Sequence, residues 1–143
     1  LFQTLTTFPD RPRDLEAEMA AFAGRLVRNC LYNRDGGALR KLIQTEGERY
    51  PGLFAAWREH GPGTAWAAIA ARFARLAHAG YLRIEDPDLA ARQFLALIHA
   101  DFHIPYMLGT RPTEDEVDAG VLNAVRTFLR AFGPAAARGV RPN

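Results

Sequence analysis

The sequence predicts an all-α fold, a helical bundle of about six helices. Three observations carry this. Apolar residues recur three and four apart along most of the 143 residues, no alternating run marks a strand, and Pro, Gly and Asn/Asp clusters separate the periodic stretches. Hydrophobic residues make up 48% of the chain, which places it among globular rather than disordered proteins, and its length suits one domain with a real core.

Leu1 to Phe8 reads as the end of a helix. Leu1-Phe2-Gln3 looks like the middle of an element, so the numbering is expected to begin inside a longer parent chain. Pro9 and Pro12 then make a loop, and Asp14 starts a helix to about Tyr32 with Leu15, Met19, Phe22, Leu26 and Cys30 on one face. Asn33-Arg34-Asp35-Gly36-Gly37 is expected to end it. The next helix covers Ala38 to Tyr50, where Leu39, Leu42, Ile43 and Tyr50 share a face with the carboxylate of Glu46, an unusual companion for them. Pro51 breaks that helix, a short one follows with Leu53, Phe54 and Trp57, and His60-Gly61-Pro62-Gly63 stops it.

Thr64 suits the N-cap of a helix from Ala65 to Ala79, whose stripe is Trp66, Ile69, Phe73 and Leu76, with Gly80 at its C-terminal end. Asp86 caps the next helix, with Pro87 in its first turn. This helix, Pro87 to about Leu108, is apolar on two sides: Ala91, Phe94, Leu95, Ile98 and Phe102 form one stripe, and Leu89, Gln93, Leu97, Ala100 and Ile104 a second. Pro105 is expected to kink or end it. Thr113 and Glu116 have capping-box spacing for a last helix carrying Val121, Leu122, Val125, Phe128, Leu129 and Phe132. The last two helices bear more apolar surface than one subunit need hide, which predicts a homodimer built as a four-helix bundle with two helices from each subunit, burying over about 2,000 Å². Residues 134–143 read as a flexible Ala/Gly/Pro tail, and residues 1–143 as one domain.

Composition excludes several functions. No stretch approaches the roughly 20 apolar residues that cross a bilayer, so no membrane association is expected. Net charge is only +2 and Lys41 is the sole lysine, so no clustered basic face marks a nucleic-acid binder. Cys30 is the only cysteine; it lies on an apolar stripe, is expected to be a buried inert thiol, and points to a reducing, cytoplasmic setting. No catalytic residues are assigned: the chain has no serine, no glycine-rich phosphate loop and no Glu-x-x-His pair, and no cofactor is expected. His99 and His103 stand at metal-ligand spacing, but the sequence offers no third ligand, so no metal is expected there.

The run Leu39-Arg40-Lys41-Leu42-Ile43-Gln44-Thr45-Glu46-Gly47-Glu48-Arg49-Tyr50-Pro51-Gly52-Leu53-Phe54 continues through Trp66 to Gly80 and closes with Glu85-Asp86-Pro87-Asp88-Leu89-Ala90-Ala91-Arg92-Gln93-Phe94. That order of helix, Tyr-Pro-Gly-Leu break, long helix, glycine stop and Asp-Pro restart resembles the C-terminal half of a TetR-family transcriptional regulator. The likeness covers Leu1 to Phe132, including the Leu1-Phe2 pair, and departs at Gly52, where the family commonly has an acidic residue. The resemblance implies an effector-binding and dimerisation domain, most often of a repressor. Residues 1–8 would be the stub of a helix leading to a helix-turn-helix, not present in this chain, that grips operator DNA. It further implies a small hydrophobic effector enclosed by Phe22, Leu26, Trp66, Ile69, Phe73, Phe94 and Ile98, with Glu46 and His99 as polar contacts. The dimer face is assigned to Leu95, Phe102, Tyr106, Val121, Val125, Phe128 and Phe132. The alternative is a free-standing helical dimerisation module that holds no ligand, which a core without a cavity would favour.

Overall fold

The computed structural model describes residues 2–60 and 63–134. Among them the chain forms eight α-helices and no strand: α1 (Phe2–Leu5), α2 (Leu15–Tyr32), α3 (Arg34–Glu46), α4 (Gly52–His60), α5 (Thr64–His78), α6 (Pro87–His99), α7 (His103–Met107) and α8 (Glu114–Phe132). The expected tail from residue 135 onward, and Gly61 and Pro62 of the expected stop, lie outside the described residues.

Local chemistry sets most boundaries. The Asp14 carboxylate accepts from the Ala17 amide at 3.1 Å, and the Asp86 carboxylate from the Leu89 amide at 3.0 Å, each satisfying a donor that the first helical turn leaves free. Thr113 and Glu116 form the reciprocal capping box that their spacing predicts. Gly80 ends α5 at a φ of +88°, a conformation that glycine adopts without steric penalty.

α2, α5, α6 and α8 make the core. α8 lies between α2 and α6, and α5 packs on the other side of α6. At the centre, Phe73 of α5, Phe94 of α6 and Phe128 of α8 form a triangle of rings with centroids 5.2 to 5.3 Å apart, all fully buried. Phe8, beyond α1, seats its ring edge-on against Phe22 at 4.8 Å and against Phe73 at 5.7 Å. Ion pairs fasten α8 to α2 at both ends: Arg28 reaches Glu114 and Asp118, each at 2.7 Å, and Arg126 reaches Glu16 at 3.1 Å. These pairs are solvent-exposed and set register more than stability.

Four boundaries differ from the sequence expectation. Asn33 ends α2 as expected, but α3 starts at once at Arg34 rather than at Ala38, because the Asn33 side chain also accepts from the Gly36 amide at 3.1 Å and so caps α3. α3 then ends at Glu46, four residues before Tyr50. Thr64 is the first residue of α5 and Gly63 its cap, where a Cβ would collide with the Arg58 backbone; only glycine lets α4 and α5 meet so closely. The expected long helix from Pro87 to Leu108 is two. Pro105 lacks the N–H that would bond the Asp101 carbonyl and its ring crowds that oxygen, so a continuous helix through this point is disfavoured. The chain instead turns at residues 100–102, burying Phe102, and restarts as α7 with Pro105 in the first turn.

α3 also differs in burial. No residue of α3 or α4 is buried, and Leu39, Leu42, Tyr50 and Phe54 are exposed. These two helices form an outer wall rather than a core layer, and a cavity lies behind that wall.

Candidate effector cavity

The cavity has a volume of about 420 Å³ and lies among α2, α3, α4, α5, α6 and α7. Its apolar walls are Leu26 and Leu31 of α2, Ile43 of α3, Phe54 and Trp57 of α4, Ala65 and Trp66 of α5, Leu95 of α6, and Phe102. Its polar lining is Asn29, Cys30, Asn33, Arg40, Gln44, His99, His103 and Tyr106. A mostly apolar chamber of this size with a few convergent polar groups is the usual form of a small-molecule site. Trp57 and Trp66 meet edge to face at 5.3 Å, and Phe54 stacks on Trp57 at 5.9 Å, so three rings form one aromatic wall. Periodicity brings Trp66 there: it shares a helix face with Ile69 and Phe73 but sits one turn nearer the helix start, beyond the close-packed core.

Several of the polar groups contact one another or the backbone. Arg40 Nη2 donates to Cys30 Sγ, and the Arg40 guanidinium lies 5.7 Å from the Tyr106 ring centroid. His99 Nδ1 donates to the Leu95 carbonyl at 2.8 Å. A carbonyl can only accept, so that bond places a proton on Nδ1 and turns Nε2 toward the interior. Nε2 is buried and has no hydrogen-bonding partner.

Cys30 is half-buried and lines the cavity rather than lying inert in the core, which corrects the sequence expectation. Burial pushes its thiol up, but the neighbouring His99 imidazole and the positive charge of Arg40 outweigh that and hold it below the ordinary cysteine value. Only the thiolate alkylates. Iodoacetamide labelling of Cys30 is therefore expected to rise with pH earlier in the folded protein than in the urea-unfolded chain, with Arg40→Met moving the rise to higher pH. A folded-state profile that coincides with the unfolded one would contradict the assigned environment.

The residues expected to enclose an effector separate into two groups. Leu26, Trp66 and His99 line the cavity. Phe22, Ile69, Phe73, Phe94 and Ile98 are at most 1% exposed and belong to the close-packed core beneath it. Glu46 is half-buried and does not line the cavity; its carboxylate makes no hydrogen bond or ion pair among the described residues. Of the residues assigned to a dimer face, Leu95, Phe102 and Tyr106 line the cavity, Val121, Val125 and Phe128 are buried inside the subunit, and Phe132 is half-buried against Phe128 at 4.8 Å. His99 and His103 both face the cavity, but the turn at residues 100–102 removes the helical register between them. No group of three or more metal-ligating side chains forms among the described residues.

Sequence reasoning passed over Phe54, Trp57, Arg40, Asn29 and Gln44 as wall residues. The one available signal was Arg40 in an amphipathic stretch, four residues from Gln44 and three from Ile43.

Residues 17–134 match the family model described as AefR-like transcriptional repressor, C-terminal domain. The chain belongs to this TetR-regulator family. Solved structures agree with the assignment. The AefR-like domain superposes on a TetR-family transcriptional regulator described as putative, from Mesorhizobium loti, with a TM-score of 0.81 and 25% identity, over 92% of this chain and 65% of that one. It superposes on the flavonoid-responsive regulator FrrA with a TM-score of 0.75 and 25% identity, over 94% of this chain and 69% of that one. A TetR transcriptional regulator from Agrobacterium tumefaciens gives 0.70 and 26% identity, over 87% and 63%. The AefR-like domain thus spans about two thirds of the length of each of these regulators. A comparison with the curated proteins found no match.

Proposed function

We propose that this AefR-like domain is the effector-sensing and dimerisation half of a transcriptional repressor, released from operator DNA when a small, largely hydrophobic molecule fills the cavity. The observation that carries the reading is the aromatic-walled cavity itself, which a module built only for dimerisation does not need. A planar aromatic effector suits the Trp57–Trp66 wall, and the name of the flavonoid-responsive relative points the same way.

The route from cavity to reader runs along α2. Leu26 and Cys30 line the cavity, Phe22 lies one turn earlier, and its ring packs on Phe8. Arg25 ties the same segment down, donating to the Thr7 hydroxyl at 2.9 Å and the Thr7 carbonyl at 3.2 Å. An effector that displaces α2 therefore displaces Phe8 and α1, the proposed stub of the connecting helix. The half-site spacing of two helix-turn-helix readers then no longer fits the operator. The effector acts only through its different affinity for the two arrangements.

The dimer is assigned to α6 and α8, but to their outer faces. Val121, Val125 and Phe128 are enclosed by the subunit, whereas Leu89 is 40% exposed and shares an outer stripe with Gln93, Ala96 and Ala100. On α8 the polar residues Asn123 and Thr127 are exposed. The setting is cytoplasmic, and no helix among the described residues is long and apolar enough to cross a membrane.

Native mass spectrometry tests this reading. The wild type is expected at twice the subunit mass, and Leu89→Arg with Ala96→Arg is expected to weaken the dimer by about 100-fold or more. A wild-type monomer at micromolar concentration would overturn the dimer assignment.

A further inference from the structure

We propose that the effector is an anion, an aromatic body carrying a carboxylate or a comparably acidic group, and that Arg40 receives its charged end. The inference rests on the effector-cavity reading above and adds the sign of the ligand's charge.

The cavity walls include Arg40, His99 and His103 but no aspartate or glutamate. This is not a shortage of acid in the chain, which has 16 carboxylate side chains against 18 lysines and arginines. Arg40 itself is incompletely satisfied. A guanidinium offers five N–H donors. Among the described residues those of Arg40 meet one thiol and the face of the Tyr106 ring, and no carboxylate. What sets Arg40 apart from the other arginines is its place on the cavity wall, where no acidic side chain faces it. A half-buried guanidinium held at a cavity wall without an anion leaves a place for one, and Arg binds planar carboxylates in paired hydrogen bonds. Beside it, Nε2 of His99 is an acceptor in the tautomer that donates Nδ1–H to Leu95, so it suits a hydroxyl on the aromatic body rather than the charged end.

A separate feature of the surface agrees. An open groove between α3 and α7 is lined by Arg34, Lys41 and Arg111, again without aspartate or glutamate. The groove and the cavity share Arg40, Gln44 and Tyr106, so a positive approach leads to the cavity. Grooves lined by one sign of charge concentrate ligands of the other.

Two fluorescent probes with one aromatic body separate charge from fit: anilinonaphthalene sulfonate, an anion, and phenylnaphthylamine, its neutral counterpart. Trp57 and Trp66 are the only tryptophans and both line the cavity, so energy transfer from them reports a bound probe, and the part of it lost in Ala65→Phe, which fills the cavity, is the binding there. In the wild type the sulfonate is expected to bind at least about tenfold tighter than the neutral probe, which is about 1.4 kcal/mol. Arg40→Met is expected to abolish that preference, while helical circular dichroism and the urea unfolding midpoint stay at wild-type values and show the variant folded. Arg40→Lys is expected to retain much of the preference. Equal affinities in the wild type, or a preference that survives Arg40→Met, would overturn the anion proposal while leaving the cavity reading standing. Energy transfer from neither probe would overturn both.

Discussion

Phe73→Ala is expected to destabilise the domain by about 4 kcal/mol, within the 3 to 5 kcal/mol range of buried aromatic truncations. The ring is fully buried and touches three others: Phe8 at 5.7 Å, Phe94 at 5.3 Å and Phe128 at 5.2 Å. Its removal loses transfer free energy and leaves a void that α5, α6 and α8 cannot close together, since each is fixed to another neighbour. Each aromatic pair adds about 0.5 to 1.5 kcal/mol beyond burial. A domain of this size has only about 5 to 15 kcal/mol in total, so the variant should be near its unfolding threshold at moderate temperature. Urea unfolding followed by circular dichroism, at one fixed protein concentration because dimerisation shifts the midpoint, measures the loss. A loss below about 1 kcal/mol would mean that the ring triangle is not the centre of the core.

The same contacts explain why some features could be foreseen from the sequence and others could not. Helix starts at Asp14, Asp86 and Thr113, and the glycine stop at Gly80, depend on chemistry within four residues, which the sequence displays directly. Asn33 shows the limit of that logic. The run ends α2 at Asn33 as expected, but the same Asn33 also caps the next helix, its Oδ1 reaching the Gly36 amide, so α3 begins four residues earlier than the glycines suggested. Pro105 was legible as a break, but the break falls three to five residues earlier, where the chain turns to bury Phe102 against Gly120 of α8. That contact is long-range and leaves no local sign.

The site was less legible than the fold for a related reason. Periodicity marks which face is turned inward, but it does not distinguish a residue packed against another side chain from one facing a void. Phe73 and Trp66 lie on one stripe of α5, yet Phe73 is enclosed by rings and Trp66 lines the cavity. Arg40 is harder still, because an arginine on a helix of a weakly basic chain reads as solvated surface. α3 stands as an outer wall with none of its residues buried, and from there Arg40 reaches the cavity beside Cys30 and His99, a placement that no local pattern signals.

A central consequence of the account is that filling the cavity from within should remove ligand binding without unfolding the protein. Ala65 is suited to this, since it is buried and lines the cavity at the start of α5 beside Trp66. Ala65→Phe places a ring where the effector would lie. Overpacking a filled core costs about 1 to 3 kcal/mol, but growth into an existing void should cost less, so the unfolding midpoint should hardly change. The deciding measurement is titration of phenylnaphthylamine followed by energy transfer from Trp57 and Trp66, in the wild type and in Ala65→Phe. Saturable binding at one site per subunit, weakened by about tenfold or more in the filled variant, is the result expected of an effector cavity. No saturable transfer in the wild type, or equal binding in both proteins, would contradict it.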